Sequence, residues 1–435
     1  MAINKIPVDR EKFKLFKYTI TAIMVPENAS SEEDTLDISD DIYEFILLRD
    51  FDSYIYPCVY LNISLNEEKV KFIQTKFSES RIYITIKKYF LDGEEAKDSF
   101  EDVMSEAEFL ILGLDRSPFA RASRDDESEE IAKQDTNIVF PLILLPVKAM
   151  SFNKSINNGI FHSTRIIDIL AYFIGKNKPA KYKTWVAPLD NSREYESILV
   201  PPMPFNHIVQ CLDNCYGMYK SRLITFFDIE ESFILPITKI FKTDNKNIKE
   251  ALIEVILPGN DPADGFEGSY SDEEEGIYRI RTRTTPVVNL GSPATREVIG
   301  EHVKIVGKNQ IDNLTNDCGQ ISFLGRTLDS KPKERVHWRI YDNELIGDKL
   351  SAQMKESETS MIITFDSVDI SMFKPNLEYT IRTNYSDGSE IDGIWRLASY
   401  EERFTKKGKD DFAGSFVKAT FKPSLDEEKS SLRSP

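Results

Sequence analysis

Residues 188–236 read PLDNSREYESILVPPMPFNHIVQCLDNCYGMYKSRLITFFDIEESFILP, an ordered set of structural parts. The turn Asp190-Asn191-Ser192 leads into a short apolar strand, Tyr195 to Val200. The double proline Pro201-Pro202 is expected to stop it, since proline lacks the donor a ladder needs. A helix follows, with Phe205, Ile208, Val209 and Leu212 at the i, i+3, i+4, i+7 spacing of a buried stripe. Gly217 is placed to take the left-handed conformation that ends a helix. Two β-type runs come next, Leu223 to Phe227 and Ser232 to Ile237, around the acidic turn Asp228-Ile229-Glu230-Glu231. This stretch is rich in structure and carries no reactive constellation, as expected of a part that must fit other parts.

Working outward, the flanks read as β structure. Tyr43 to Leu48 and Tyr54 to Leu65 are apolar and β-branched, and Arg81 to Tyr89 alternates, with Ile82, Ile84 and Ile86 on one face. Glu67 to Gln74 is a helix candidate. Thr164 to Ile174 reads as a helix capped by Ser163 or Thr164, with Ile166, Ile167, Leu170 and Ile174 as its face and Gly175 as its end. Beyond Phe226, strands are expected at Ala251–Leu257, Ile277–Thr284, His302–Val306, Met361–Phe365, Glu378–Thr383, Gly393–Leu397 and Ser415–Phe421. Ser30 to Asp41, Arg124 to Asp135 and the Gly-, Asp- and Glu-rich Gly259 to Gly276 read as acidic loops. The tail 424–435 is polar and is expected to be disordered.

The chain has 435 residues and 41% hydrophobic residues, enough for two to four domains with sizeable cores. Its net charge of −17 argues against a duplex-DNA reader, which needs a basic footprint. Cys58, Cys211, Cys215 and Cys318 form no disulfide framework, and Met1 to Lys17 lacks the apolar core of a signal peptide, so a reducing cytoplasm is expected. The apolar run Ile138 to Val147 is broken by Pro141 and Pro146 and is too short to span a bilayer. It reads as a buried strand.

Phosphate-loop, dinucleotide, zinc-protease and serine-hydrolase motifs are missing from the sequence. His207, Cys211 and Cys215 recur at helical spacing. At 1.5 Å per residue the three positions span about 12 Å, too far to converge on one ion. They read instead as a buried face on which cysteine is a small hydrophobe. Asp261, Asp264, Asp272, Glu273, Glu274 and Glu275 lack the ordered oxygen ligands of a calcium loop. Catalytic carboxylates cannot be chosen among 72 acidic residues with no motif to select a pair. The aromatics Tyr195, Tyr216, Tyr219, Phe226 and Phe227 fit core or interface better than ligand stacking.

The order Asp190, Asn191, Tyr195, Glu196, Pro201, Pro202, Leu212, Tyr216, Gly217, Tyr219, Phe226, Phe227, Asp228 resembles the central segment of the baseplate or tail-tip hub proteins of long-tailed bacteriophages. A second stretch resembles the family's last strands: Pro375-Asn376 before a strand, Gly393 to Leu397, then Phe404, Lys407 and Gly408. Together they cover about a third of the chain.

The resemblance implies a β-rich α+β fold with two tail-tube-like β-barrel domains flanking, or joined by, small α+β domains. It sets expected limits at 1–136 for the first barrel and 137–200 for the linking α+β domain. Residues 201–423 would hold the second barrel, with loop 259–276 inserted. It also implies a structural virion protein assembled in the host cytoplasm, a homotrimeric hub without catalytic, cofactor or metal site. Its partners would be the tail tube protein, a central spike or tail fibre protein, the tape measure protein and baseplate wedge proteins. DNA would pass through without specific binding, and no membrane would be engaged. Asp190, Asn191, Tyr195, Glu196, Pro201, Pro202, Tyr216, Gly217, Tyr219, Phe226 and Phe227 are the residues expected to carry fold and trimer contact. The competing readings are a carbohydrate- or receptor-binding tail protein and a cell-wall hydrolase.

Overall fold

The computed structural model describes residues 13–26, 35–66, 69, 80–92, 95–114, 138–237, 252–257, 267–272, 277–289, 303–307, 337–341, 360–382, 393–406 and 413–423. The first strands form by two-residue alternation. β1 (Leu15–Pro26) buries Tyr18, Ile20, Ala22 and Met24, and the short β2 (Leu36–Asp37) pairs with its far end. β3 (Ile42–Asp50) and β4 (Cys58–Leu65) follow, and β4 buries Val59, Leu61, Ile63 and Leu65. β5 (Ser80–Asp92) buries Ile82, Ile84 and Ile86, as the alternation predicts. β6 (Glu95–Leu114) and β7 (Ile138–Pro146) complete the N-terminal set.

A contiguous α+β unit comes next. It comprises α1 (Val147–Lys154), β8 (Asn157–Arg165), α2 (Ile166–Asn177), β9 (Lys183–Val186), β10 (Glu194–Met203), α3 (Phe205–Tyr216), β11 (Leu223–Phe227) and β12 (Glu231–Pro236). β8 and β10 form a two-stranded ribbon, and β11, β12 and β9 a three-stranded sheet. The remaining strands are β13 (Leu252–Ile256), β14 (Gly268–Asp272), β15 (Ile277–Arg281), β16 (Val287–Asn289), β17 (Val303–Gly307), β18 (His337–Tyr341), β19 (Ser360–Asp366), β20 (Glu378–Arg382), β21 (Gly393–Lys406) and β22 (Ala413–Pro423).

Eight strands close into a barrel in the order β3-β4-β7-β6-β5-β1-β22-β21 and back to β3, all antiparallel. Closure removes sheet edges. The ring takes strands from 15–146 and from 393–423, so it draws on both regions expected to hold a barrel. Its thinnest seam joins β1 to β22 through the register pair Tyr18–Ala413. Tyr18 also ties β1 to the segment after β19: its hydroxyl donates to the Val368 carbonyl at 2.6 Å and accepts from the Ile370 amide at 3.1 Å. The Tyr18 ring meets Phe404 edge-on at 5.3 Å.

β21 and β22 serve twice. Beyond a register shift between Leu397 and Ser399, the start of β21 pairs with β20, while β22 from Phe416 to Phe421 pairs with β19 along its other edge. β13 and β15 extend this sheet from β20, β14 hairpins onto β15, and β16 joins β19. Residues 282–286 alone separate β15 from β16, so the two ends of the sheet approach each other. The Thr282 and Thr284 hydroxyls both donate to the Thr364 carbonyl of β19. A second curl of strands thus shares β21 and β22 with the barrel.

Several local expectations are corrected. Pro201-Pro202 do not stop β10. The ladder shifts register after Val200 and resumes at Met203–Asn157, so the prolines occupy the irregular stretch where no donor is required. Pro204 marks the helix start instead. The α2 cap is Arg165, whose amide donates to Asp168 at 3.4 Å, and not Ser163 or Thr164. Gly175 lies inside α2, which ends at Asn177, and Ile169 and Phe173 join Ile166 and Leu170 as its buried face. The stretch expected as one loop from 259 to 276 contains β14. Lys14 and Ser269 exchange backbone hydrogen bonds at 2.9 and 3.0 Å, and these pin the strand. The expected helix at Glu67–Gln74 falls mostly outside the described residues. The acidic loop at Arg124–Asp135, the tail 424–435, Cys318, Lys407 and Gly408 lie outside them.

Candidate functional site

The motif residues of the opening stretch gather into one hydrogen-bonded knot. Helix α3 buries Phe205, Ile208, Val209 and Leu212 as its spacing dictates, and it stops at Gly217, which has φ 70° and ψ 119°. A helix end leaves carbonyls without intrahelical donors. Asn191 supplies them: its Nδ2 donates to the Tyr216 carbonyl at 2.9 Å, the Gly217 carbonyl at 2.7 Å and the Tyr195 hydroxyl at 2.9 Å. With two hydrogens for three acceptors, one bond is shared. The amides of Asp190 and Asn191 both donate to the Met218 carbonyl, and the Lys220 amide donates to Asp190 Oδ2 at 3.0 Å. Tyr195 stands edge-on to Tyr216 at 5.0 Å. The buried Tyr219 hydroxyl donates to the Ala187 carbonyl at 2.9 Å, tying α3's exit to the strand layer. Asp190, Asn191, Tyr195, Tyr216, Gly217 and Tyr219 are therefore one structural device.

Phe226 and Phe227 dock this unit on the barrel. Both are fully buried. Phe226 meets Phe51 at 4.7 Å, and the Phe227 amide donates to the Ile55 carbonyl at 2.8 Å. Glu196, Pro201 and Pro202 are exposed on β10, so of the sequence-chosen residues these three face outward. In the second motif stretch Asn376, Trp395 and Phe404 are buried.

Beside Phe227 lies an ionic seam that sequence reasoning missed. Arg49 Nε donates to Asp228 at 2.7 Å, and its Nη1 lies 3.1 Å from Glu402, with the guanidinium 5.1 Å from the Tyr400 ring centre. All three charged residues are buried. Burial pushes the Glu402 carboxyl up, against the pull of Arg49. A cavity of about 170 Å³ adjoins the trio, lined also by Lys88, Glu101 and Glu231. Nearby, Asp52 accepts from Arg396 at 3.0 Å and Lys422 at 2.7 Å, and lies 3.1 Å from Arg222. Burial raises the Asp52 pKa, but the Arg396 and Lys422 cations outweigh it and hold the group at about 2. These partners lie 170 to 370 residues from Asp52 along the chain, so no spacing rule could pair them.

The face shared by His207, Cys211 and Cys215 is not buried, contrary to expectation. His207 and Cys215 are exposed and Cys211 is half-buried, because the core stripe lies on the other side of α3. The two sulfurs are 3.9 Å apart. Among the described residues no His, Cys, Asp or Glu group has metal-binding geometry, and no helix is long and apolar enough to cross a membrane. Asp261, Asp264 and Glu273 to Glu275 lie outside the described residues, and Asp272 ends β14.

Sequence comparison places the chain among phage proteins. The sequence pattern of the family described as bacteriophage PBS1 gene 109 protein matches residues 13–421. The chain belongs to that family, in keeping with the resemblance to phage hub proteins. No curated protein matches it in sequence. Among solved structures it is similar to the tail protein from Neisseria meningitidis MC58, with TM-score 0.48 and 9% identity over 93% of this chain and 96% of that one. It is similar to a chain of the Francisella PdpA–VgrG complex, with TM-score 0.45 and 12% identity over 94% of this chain and 53% of that one. The prophage tail protein gp18 from Listeria monocytogenes EGD-e gives TM-score 0.35 and 9% identity over 92% of this chain and 94% of that one. The similarity to tail and baseplate structural proteins is therefore one of low sequence identity.

Proposed function

We propose that the protein is a non-enzymatic structural component of a phage tail, the trimeric hub that joins a sixfold tail tube to a threefold central spike or fibre. The observation that carries the reading is the doubled strand architecture in a phage-family chain: one closed barrel and a second curl built on the same β21 and β22. Three copies of a chain with one barrel and one such curl present six strand bodies, which is what a threefold part needs to meet a sixfold tube. The tube protein, the spike or fibre, the tape measure protein and the baseplate wedges are its partners in this reading. The virion tail is its location.

The ring of copies conducts DNA and does not hold it. Phosphates are attracted by Lys and Arg and repelled by Asp and Glu, in a salt-dependent way. With a net charge of −17 the chain has carboxylates available for a lumen as well as an outer surface. The expected bore is acidic or neutral and about 20 Å or wider, by comparison with the dimensions of B-DNA.

The test is co-expression with the tube and spike proteins, followed by light scattering and electron microscopy of the assembly. The expected result is a particle with three copies of the 50.0 kDa chain and an open bore, without duplex binding at physiological salt. A bore lined by Lys and Arg or closed by side chains, or a chain that stays single beside its tail partners, overturns the reading.

A further inference from the structure

We propose that the β8–β10 ribbon is one side of the contact between neighbouring copies of this chain, with the free edge of β8 pairing against a different surface of the next copy, as a threefold ring requires. The proposal rests on the self-association reading above and names the surface that reading requires.

A two-stranded ribbon is marginal alone in water, and an antiparallel sheet with one solvated face normally places polar residues there. Here the inner face is filled: Ile198 and Val200 are buried, and Phe161 meets Phe173 of α2 at 5.5 Å. The outer face is only partly polar: Asn158, His162 and Ser197 are exposed on it, but large aliphatic side chains are exposed there too. Ile160 and Leu199 stand directly opposite each other in the ladder, 66% and 64% exposed, and Ile156 just before β8 is 70% exposed. A facing pair of large aliphatic side chains is a unit of sheet packing left uncovered.

The two edges of the ribbon differ. Among the described residues, neither β8 nor β10 has a second strand neighbour. β10 carries Glu194, Glu196, Pro201 and Pro202, residue types that discourage a strand from adding to an edge. From Asn157 to Thr164, β8 has no proline, lysine, arginine or acid. Its edge lacks the charged and proline guards of β10, and Ser163, at φ 47°, limits the regular stretch to its first part.

Charge selects a second copy as the occupant. A chain of net charge −17 repels its own copies over most approaches. Across residues 154–168 and 193–204, Lys154, Arg165 and Arg193 balance Asp168, Glu194 and Glu196. This electrically balanced patch, with Ile156, Ile160 and Leu199 exposed on it, is where an acidic neighbouring copy is met without repulsion, whereas a basic partner would gain nothing by choosing it.

The experiment compares the full chain with the double variant Ile160→Glu, Leu199→Glu by sedimentation and light scattering from about 1 to about 100 µM. Both side chains are exposed, so circular dichroism and the melting midpoint are expected to match wild type. The wild-type mass is expected to rise with concentration. The double variant is expected to need at least about tenfold more protein for the same rise. Leu199→Ser, a milder change, is expected to shift it about threefold in the same direction. Hydrogen exchange is expected to slow with association at 157–165 more than at 194–203.

If wild type associates and both variants follow it unchanged, the ribbon proposal fails and the hub reading stands. If slowing appears on β10 and not on β8, the assigned edge is wrong. If wild type stays a single chain at every concentration and beside its tail partners, both fail.

Discussion

The barrel and the α+β unit solve the same problem in opposite ways. The barrel is held by pairings between distant parts of the chain: β21 lies against β3, with Phe404 opposite Phe45, and β22 closes onto β1. The α+β unit is one contiguous segment, and its key contacts are near in sequence, as where Asn191 reaches Tyr195, Tyr216 and Gly217. Stability in the first depends on closing long loops, and in the second on a few well-placed polar groups. Beside the Phe226 and Phe227 contacts, buried charge joins them: Arg49 to Asp228 and Glu402, with Asp52 among Arg222, Arg396 and Lys422.

The largest expected effect comes from breaking that joint. Arg49→Ala leaves two buried carboxylates facing each other without their cation and is expected to cost about 3–5 kcal/mol in urea unfolding. Hydrogen exchange at 223–236 is expected to quicken, because Asp228 loses its hold on the barrel. A loss below about 1 kcal/mol would mean that the two regions are held by aromatic packing alone.

Next is the α+β unit's own device. Gly217→Val puts a β-branched residue at φ 70°, at an expected cost of about 2–3 kcal/mol. If the contiguous unit is a cooperative piece of its own, exchange is expected to quicken across 187–220 before it does in β1 and β5. Equal quickening in barrel and unit would erase the contrast.

Asp52 gives a third test, read in pH. Its folded pKa is lowered from 3.8 to about 2. A depressed carboxylate stabilises the fold above the unfolded pKa, and the gain is lost as pH falls from about 4 to about 2. Asp52→Asn is expected to remove about 2 kcal/mol at pH 7 and to flatten that acid limb. Glu402, pushed up by burial against Arg49, acts in the opposite sense and is untouched by the substitution. An unchanged acid limb would exclude Asp52 as its source.

The smallest effect is expected at Arg165, whose 3.0 Å pair with Asp168 is exposed. Arg165→Ala is expected to leave the urea midpoint of the whole chain unmoved, since exposed pairs are screened by solvent. A midpoint shift as large as that of Asp52→Asn would place the ribbon in the fold's energetic core.

By itself the sequence determined whatever depends on neighbours within a turn or two. The α3 stripe, the Gly217 stop, the β11–β12 hairpin and the alternation of β5 follow from 3.6- and 2-residue periods, which are properties of the backbone. The tertiary structure alone decided which distant strands meet. Nothing in the local pattern of β21 says that it pairs with β20 and β22 at one end and with β3 at the other, because an alternating strand fits many neighbours equally well. Pro201-Pro202 read as a stop because a ladder usually needs their missing donors. Only the register shift opposite β8 shows that here it does not. The ionic joints were hidden for the same reason. Arg49 and Asp52 look like ordinary surface charges until folding brings residues 170 to 370 positions away against them. At that point burial turns each unpaired charge into a large penalty and each paired one into a fixed point of the architecture.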